Sequence, residues 1–370
     1  MDLEKSFRMK EGHGESSYSK NSSLQKKVSD RVTHIAIEAI QRLYLETKPK
    51  NLVIADLGCS SGPNTLSIIG ELYQAVVDVA RGTTGTTQAL EFVVYLNDLP
   101  SNDFNSIFEA LPQFYTDLDQ QRRNDSVAGD ERVGRFPIFV AAFPGSFYGR
   151  IFPNKSLHFV YSSFGVHWLS KVPPGIYDEN GESMNKGSIY ISARSPQQVR
   201  HAYVEQFRGD FLSFLRLRSQ ELTTGGRMVL ILLGRESPDD FDRGNSKLWE
   251  LLTQSFTILF KEGKVEKEKL DSYDVHFYAP YRDEVEEVVS NEGSFKLDQL
   301  TMIQSGRTKH SSGMVIAMTI RAIQESMIEH HFGEGILDPL FSTYAKLIDS
   351  ELLKGEIVAT TLALVLTNLC

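Results

Sequence analysis

The stretch Gly58-Cys59-Ser60-Ser61-Gly62-Pro63 joins an apolar run, Leu52 to Leu57, to a segment of helical periodicity, and there the chain most clearly offers chemistry. Glycines at a strand end let backbone pass close to a ligand, and a helix that follows presents free N–H groups. The spacing is not GxGxxG, so the dinucleotide fingerprint fails, and the Gly-Lys-Ser/Thr of a phosphate loop is absent. Asp56 stands just before the loop, where it repels a phosphate and welcomes a cationic or neutral ligand. S-adenosylmethionine, which carries a sulfonium and an ammonium, has the matching charge. A second acid, Asp98, follows the next apolar run, Phe92 to Leu96, 42 residues after the first (98 − 56). An acid at the carboxyl end of a neighbouring strand accepts hydrogen bonds from a ribose diol. Capping of the next helix is the plain structural alternative for it.

Strands and helices in alternation must hold these groups. Apolar residues at helical spacing between Val28 and Leu45 (Val32, Ile35, Ala36, Ala39, Ile40, Leu43) predict an amphipathic helix. Leu52–Leu57 predicts a strand covered on both faces, and Ile68, Ile69, Leu72, Ala75 and Val76 a helix starting after Pro63-Asn64. Further strands are expected at Phe92–Leu96, Phe136–Ala142, Leu157–Tyr161 and Gly226–Leu232, the last after a helix over Gln198–Leu222. This order predicts an α/β fold with a parallel sheet. Residues 245–331, rich in charge, read as a helical layer without a strong strand, and Ile357–Leu366 as a final strand. Residues 122–134 and 304–313 read as exposed loops. The expected division is an arm over 1–27, a cofactor-binding core over 28–238, a mostly helical cap over 239–331, and a helix and strand over 332–370 that complete the core.

Composition narrows the function classes. With 370 residues, 41% hydrophobic and 24% charged, the chain has ample material for a buried core. Its 48 acids against 39 basic residues give a net charge of −9 and no basic run, which argues against nucleic acid as a partner. Two cysteines make no disulfide framework and fit a reducing compartment. The lack of an eighteen-residue apolar stretch excludes a membrane helix, and the charged segment Met1 to Gly14 is not a signal peptide. A soluble, cytoplasmic protein is expected.

Three motifs together resemble one family. Asp56-Leu57-Gly58-Cys59-Ser60-Ser61-Gly62-Pro63-Asn64, Asn97-Asp98-Leu99-Pro100 with Asn102-Asp103-Phe104-Asn105, and Pro144-Gly145-Ser146-Phe147-Tyr148 are similar to the plant SABATH methyltransferases. The arm from Met9 to Ser22 resembles the same family, so the likeness runs along nearly the whole chain. It implies a Rossmann-like class I methyltransferase sheet with an added helical cap, and methyl transfer from S-adenosylmethionine to small acids such as salicylate, benzoate or jasmonate. One branch of the family methylates purine nitrogens. By position the resemblance implies cofactor contacts from Tyr18, Asp56, Cys59, Asn64, Asp98, Leu99, Ser146 and Phe147. It also implies a homodimer. Cys59 and Phe147 would read as ordinary core residues without it.

A carboxylic acid is already ionised at neutral pH and attacks a methyl sulfonium directly, so alignment in a dry pocket replaces a general base. Neutral donors are then needed, and the resemblance assigns Gln25 and Trp168 to the acceptor carboxylate, an amide and an indole N–H. Trp168 in an apolar run is equally a core residue, and Gln25 an exposed one. His167 falls in the family's acceptor pocket, where benzoate/salicylate and purine enzymes both have His and some salicylate-selective ones Met. Phe164 replaces a tyrosine of several relatives, and with Leu248, Trp249 and Phe341 it makes an apolar pocket suited to an aromatic acid. Gly165 is expected to widen that pocket, which keeps a jasmonate-like acid open. Glu11 and the short, Ser-rich 301–313 segment depart from the family pattern and bear on the acceptor's identity. A purine N-methyltransferase and a non-catalytic ligand-binding relative are the alternatives. Asn185, Asp271, Tyr273 and Asp274 match positions where some relatives are assigned Mg²⁺, a set of oxygen ligands, while a turn-and-loop role fits as well. Glu329-His330-His331 is not HExxH and is set aside as a metal motif.

Overall fold

Strand β1 (Asn51–Leu57) is buried along nearly its whole length, as its mostly apolar letters require, and the sheet grows outward from it on both sides. The computed structural model describes residues 21, 23–83, 90–125, 136–239, 244–307 and 310–370. Along the chain follow α1 (Ser23–Thr47), β1, α2 (Asn64–Thr83), β2 (Glu91–Asn97), α3 (Phe104–Asp125), β3 (Ile138–Ala142) and β4 (Leu157–Ser163). Then come α4 (Gln197–Glu221), β5 (Leu222–Gly234), α5 (Asn245–Lys261), α6 (Lys267–Asp271) and α7 (Arg282–Glu292). Strand β6 (Phe295–Arg307), α8 (Gly313–Phe332), α9 (Leu337–Leu352) and β7 (Ile357–Asn368) complete the order.

The sheet order is β3-β2-β1-β4-β5-β7-β6. Strands β1 to β5 pair in parallel, whereas β7 is antiparallel to both β5 and β6. Three corrections to the sequence reading follow. The sheet is mixed, and residues 245–331 contain β6, a 13-residue edge strand that also takes in the start of the expected 304–313 loop. Its exposed face carries Lys296, Asp298, Gln299 and Gln304, so its charge pattern reads as a solvated helix. Helix α3, with Pro112 inside it, was not expected either, and it runs to Asp125 into the predicted 122–134 loop.

Two apolar cores cover the two faces. One packs α1, α2 and α3 on the sheet through Ile35, Leu43, Leu72, Val76 and Ile107. The other packs α4, α5, α7, α8 and α9 through Phe207, Phe214, Leu252, Val289 and Leu340. Chain reversal at β1, with β2 on one side and β4 on the other, opens a crevice at the carboxyl ends of β1 and β4, where open α/β sheets take ligands.

One buried ion pair fixes the loop beside that crevice. Arg218, in the last turn of α4, donates to the carbonyls of Phe147 (2.7 Å) and Gly149 (2.9 Å) and pairs with Glu221 at 2.7 Å, both side chains being fully buried. Glu221 in turn accepts the N–H groups of Ile151 (2.8 Å) and Phe152 (3.1 Å). Removing one partner leaves a buried, uncompensated charge. Arg218→Met is therefore expected to lower unfolding free energy by about 3–5 kcal/mol in urea titrations.

Candidate active site

A cavity of about 120 Å³ lies at the carboxyl ends of β1 and β4. Asp56, Gly58, Cys59 and Ser60 line it from the first loop, Asn64, Thr65 and Glu71 from α2, Ser29, Asp30 and Thr33 from α1, and Tyr161, Ser163 and Phe164 from β4 and its end. Among the described residues, three acids and no Lys, Arg or His face this space, so its field suits a cation. Asp56 is 4% exposed and accepts the Thr65 hydroxyl at 2.5 Å. Burial, reinforced by the charge of Asp98, pushes its carboxyl up to about 7.

The first loop is wound tightly enough to need left-handed backbone. Gly58 has φ +76°, and Ser60, with φ +57°, holds a conformation that costs a non-glycine residue about 1–2 kcal/mol. The neighbours hold it there. Asp98 accepts the Ser60 N–H at 2.7 Å and the Leu99 N–H at 2.8 Å, while Asn102 donates to the Ser60 carbonyl at 2.9 Å. Burial raises the Asp98 carboxyl, and those two N–H groups pull it back.

Asn97, in the resemblance motif but given no role from sequence, is the residue that joins the loops. Its carbonyl accepts the N–H groups of Gly58 (2.8 Å) and Cys59 (2.9 Å). Its fully buried side-chain amide donates to the carbonyls of Phe143 (2.7 Å) and Gly145 (2.9 Å). The loop carrying Ser146 and Phe147 is thereby tied to the loop carrying Cys59 and Ser60. Alternation on a strand, with Asn97 turned to the side away from Asp98, is the signal that was there to find. Thr65 and Tyr161 were also missed, both lying inside runs that read as helix and strand.

Phe147 presents its ring edge-on to Tyr148 (4.9 Å) and Phe214 (5.9 Å), and the Ser146 hydroxyl accepts the Tyr148 N–H at 3.3 Å. Gly165 does not widen a pocket. A Cβ there would lie 3.0 Å from Ser162 Oγ and 3.4 Å from the Leu57 carbonyl, so the glycine permits close packing of the β1 and β4 loops.

Beyond Phe164, itself at φ +58°, the chain enters an aromatic cluster. Trp168 lies 5.4 Å from Phe277 and 6.5 Å from Trp249, ring centre to ring centre, and Leu248 is buried beside Trp249. His167 is a bracket in this region. Its Nδ1 accepts the Leu233 N–H at 3.1 Å, and its carbonyl accepts the Tyr278 N–H at 2.9 Å. Burial lowers its imidazole to about 3, so it is neutral. Phe341 packs on Tyr344 and under the Arg321 guanidinium. Tyr18 lies outside the described residues, as does the Gln25 side chain. The backbone of Gln25 belongs to α1, four residues before Ser29, whose hydroxyl is 3.3 Å from that of Ser163.

The four residues expected to hold Mg²⁺ do not fit a common ion. Asn185 accepts the Ser195 hydroxyl (2.6 Å) and donates to the Ser188 and Tyr190 carbonyls. Asp271 pairs with Lys267, Asp274 accepts the Tyr177 hydroxyl at 2.8 Å, and Tyr273 donates to Gln324. Protein partners thus occupy the oxygens separately, and burial pushes the Asp274 carboxyl up to about 6. Among the described residues no three His, Cys, Asp or Glu side chains converge on a metal position.

The family model described as SAM dependent carboxyl methyltransferase matches residues 4–369. The chain belongs to that family. It is 42% identical over 368 residues to probable jasmonic acid carboxyl methyltransferase 2 of Theobroma cacao, covering 96% of each chain. It is 38% identical to salicylate carboxymethyltransferase of Clarkia breweri, again over 96% of both. A solved structure, loganic acid methyltransferase with SAH, superimposes with a TM-score of 0.81 at 34% identity, covering 97% of this chain and 98% of that one. The fold is the class I methyltransferase sheet, the enzyme is a methyltransferase, and its methyl donor is S-adenosylmethionine. The acid-lined cavity agrees with a sulfonium- and ammonium-bearing donor. No described helix is long and apolar enough to cross a membrane.

Two predictions arise from this geometry. An unfolded aspartate ionises near 4, whereas Asp56 holds its proton to about 7, so its burial costs the folded state progressively as pH rises through that window. Asp56→Asn keeps an acceptor for Thr65 and should be more stable than wild type at pH 8 by on the order of 2 kcal/mol. The gain should vanish near pH 4, as followed by calorimetric Tm. Asn97→Leu removes both amide donors from buried carbonyls and should cost about 2–3 kcal/mol. Hydrogen exchange should rise across residues 143–148 and leave β7 unchanged.

Proposed function

We propose that the enzyme makes the methyl ester of a small carboxylic acid, an aromatic acid such as salicylate or benzoate before others, by in-line attack of the carboxylate on the donor methyl. The observation that carries this is the neutral, low-basicity surroundings of Trp168. His167 and His276, the histidines beside it, are both buried and held at about 3 and about 4, and the His167 lone pair is taken by the Leu233 N–H. Neither imidazole is a competent base near neutrality. An acceptor that arrives already anionic needs none.

In this reading Asp56 faces the donor's cationic amino-acid end, Asp98 takes the ribose diol, and Leu99, Ser146 and Phe147 border the adenine. Cys59 and Asn64 complete the wall, and Tyr18 closes over it from the arm. Gln25 and Trp168 hold the acceptor carboxylate between Phe164, Leu248 and Trp249. Phe341, packed on Arg321 and Tyr344, adds an apolar wall to the pocket. Trp168 with Phe277 and Trp249 offers apolar walls, which favour an acid over a purine and its several polar edges. Probable caffeine synthase 4 of Camellia sinensis is 36% identical over the full length of both chains, so a purine belongs in the assay. The proposal includes pairing of two copies and residence in the cytoplasm, to be read by sedimentation and by fractionation.

The test is a panel with labelled donor and salicylate, benzoate, jasmonate and xanthosine. Acids should take label and xanthosine should not; label on xanthosine alone would reject the acid reading, and tight donor binding without any product would mark a non-catalytic relative. With an acid acceptor the rate should show no base limb between about pH 6 and 9. Trp168→Phe should lower kcat/KM about 10- to 100-fold, with donor affinity intact by calorimetry.

A further inference from the structure

The chain at the start of α1 is tied to three distant elements. Thr319, 5% exposed in α8, donates its hydroxyl to the Asn21 carbonyl at 3.0 Å, across 298 positions of sequence. The Ser29 hydroxyl lies 3.3 Å from that of Ser163 at the end of β4. Arg31 donates to the Gln304 carbonyl of β6 at 3.0 Å. Of these three, the bond from Thr319 calls for an explanation. The same hydroxyl lies 3.0 Å from the Val315 carbonyl, the back-bond usual for a threonine inside a helix. That carbonyl already receives the Thr319 backbone N–H in the helix ladder and does not need the hydroxyl. Ile316 and Ala322, one turn to either side of Thr319, are buried, so a valine would meet the packing at this place without burying a polar group. The Asn21 carbonyl is what accounts for the hydroxyl.

Gln25 stands one helical turn after Asn21 and one turn before Ser29. The opening turn of a helix frays, because its first N–H groups have no partner within the helix. Here α8 grips the chain at 21 and β4 grips it at 29, so the backbone at 25 is held from both sides against roll and slide. Alignment is the main demand of a transfer that uses no general base, and a small misplacement of a donor to the carboxylate is costly. We propose that Thr319 is a positioning residue for methyl transfer: through the Asn21 carbonyl it sets the first turn of α1, and with it Gln25, against the acceptor carboxylate. The inference rests on the carboxyl-methylation reading above and adds to it a residue that touches neither donor nor acceptor.

A double-mutant cycle on acid kinetics, with hydrogen exchange beside it, provides the test. Thr319→Val keeps the shape of the side chain and removes the hydroxyl. It should lower kcat/KM for the acid about 3- to 10-fold, with SAH affinity unchanged by calorimetry. Thr319→Ser retains the hydroxyl and should recover most of that loss. In a Gln25→Ala background Thr319→Val should cost nothing further, because the group it positions is gone. Amides of residues 23–28 should exchange faster in Thr319→Val than in wild type, while those of β7 stay as they were. Full additivity of the two substitutions, or unchanged exchange over 23–28, overturns the proposal. Should the Val variant fail to fold, Thr319→Ala takes its place in the same cycle. Failure of the methylation reading looks different: no acid takes label, or Gln25→Ala leaves the acid's kcat/KM at the wild-type value, while exchange over 23–28 still answers to the Thr319 hydroxyl.

Discussion

The carboxyl end of β2 is where the site is decided. Asn97 and Asp98 together engage the Gly58-Cys59-Ser60 loop and the Phe143–Gly145 turn by six hydrogen bonds, counting both faces of the strand. The bonds are Asn97's two accepted and two donated, the Ser60 N–H on Asp98, and the Gly145 N–H on the Asp98 carbonyl. Ser60 retains its left-handed backbone because both of its peptide groups are held. The arrangement needs an amide at 97 for its two hydrogens and an acid at 98 for its acceptors. From the other side, Arg218 and Glu221 carry the same turn onward to Phe152. The two loops are thus parts of one hydrogen-bonded unit that walls the crevice.

Electrostatics divide this crevice from its surroundings. Asp30, Asp56 and Glu71 collect around a small space, and the burial of Asp56 there costs the folded chain free energy that a cationic ligand offsets. Close by, the aromatic cluster does the opposite and keeps its histidines uncharged. A positive sulfur on one side and an anionic oxygen approaching on the other require little else from the protein than exclusion of water and correct alignment.

Much of this was legible in the letters. Continuous apolar runs announced β1, β2, β4 and β7, and the glycine loop with Asp56 and Asp98 announced the crevice, because backbone geometry and charge leave direct marks on residue type. The rest depends on partners far away in sequence. Strand β6 is half exposed and polar, so it reads as a helix face until β7 is known to pair with it. Helix α3 is disguised by Pro112. His167 read as a pocket residue, and its Nδ1 also holds the Leu233 N–H, a contact no spacing rule encodes. Gly165 suggested space and proved to mark the absence of it. The expected metal ligands were oxygens already taken by Ser195, Tyr177 and Lys267.

The sheet order also bears on how the chain comes off the ribosome. Among the described residues β6 pairs with no strand but β7, and β7 follows it in synthesis while lying inside it in space. The five parallel strands can assemble as they emerge, but β6 must wait, and meanwhile β5 is an open edge with a long apolar stretch. Nascent chains interrupted before residue 357 would therefore hold a nearly finished crevice on a sheet ready to pair with a neighbour's, a natural client for a chaperone.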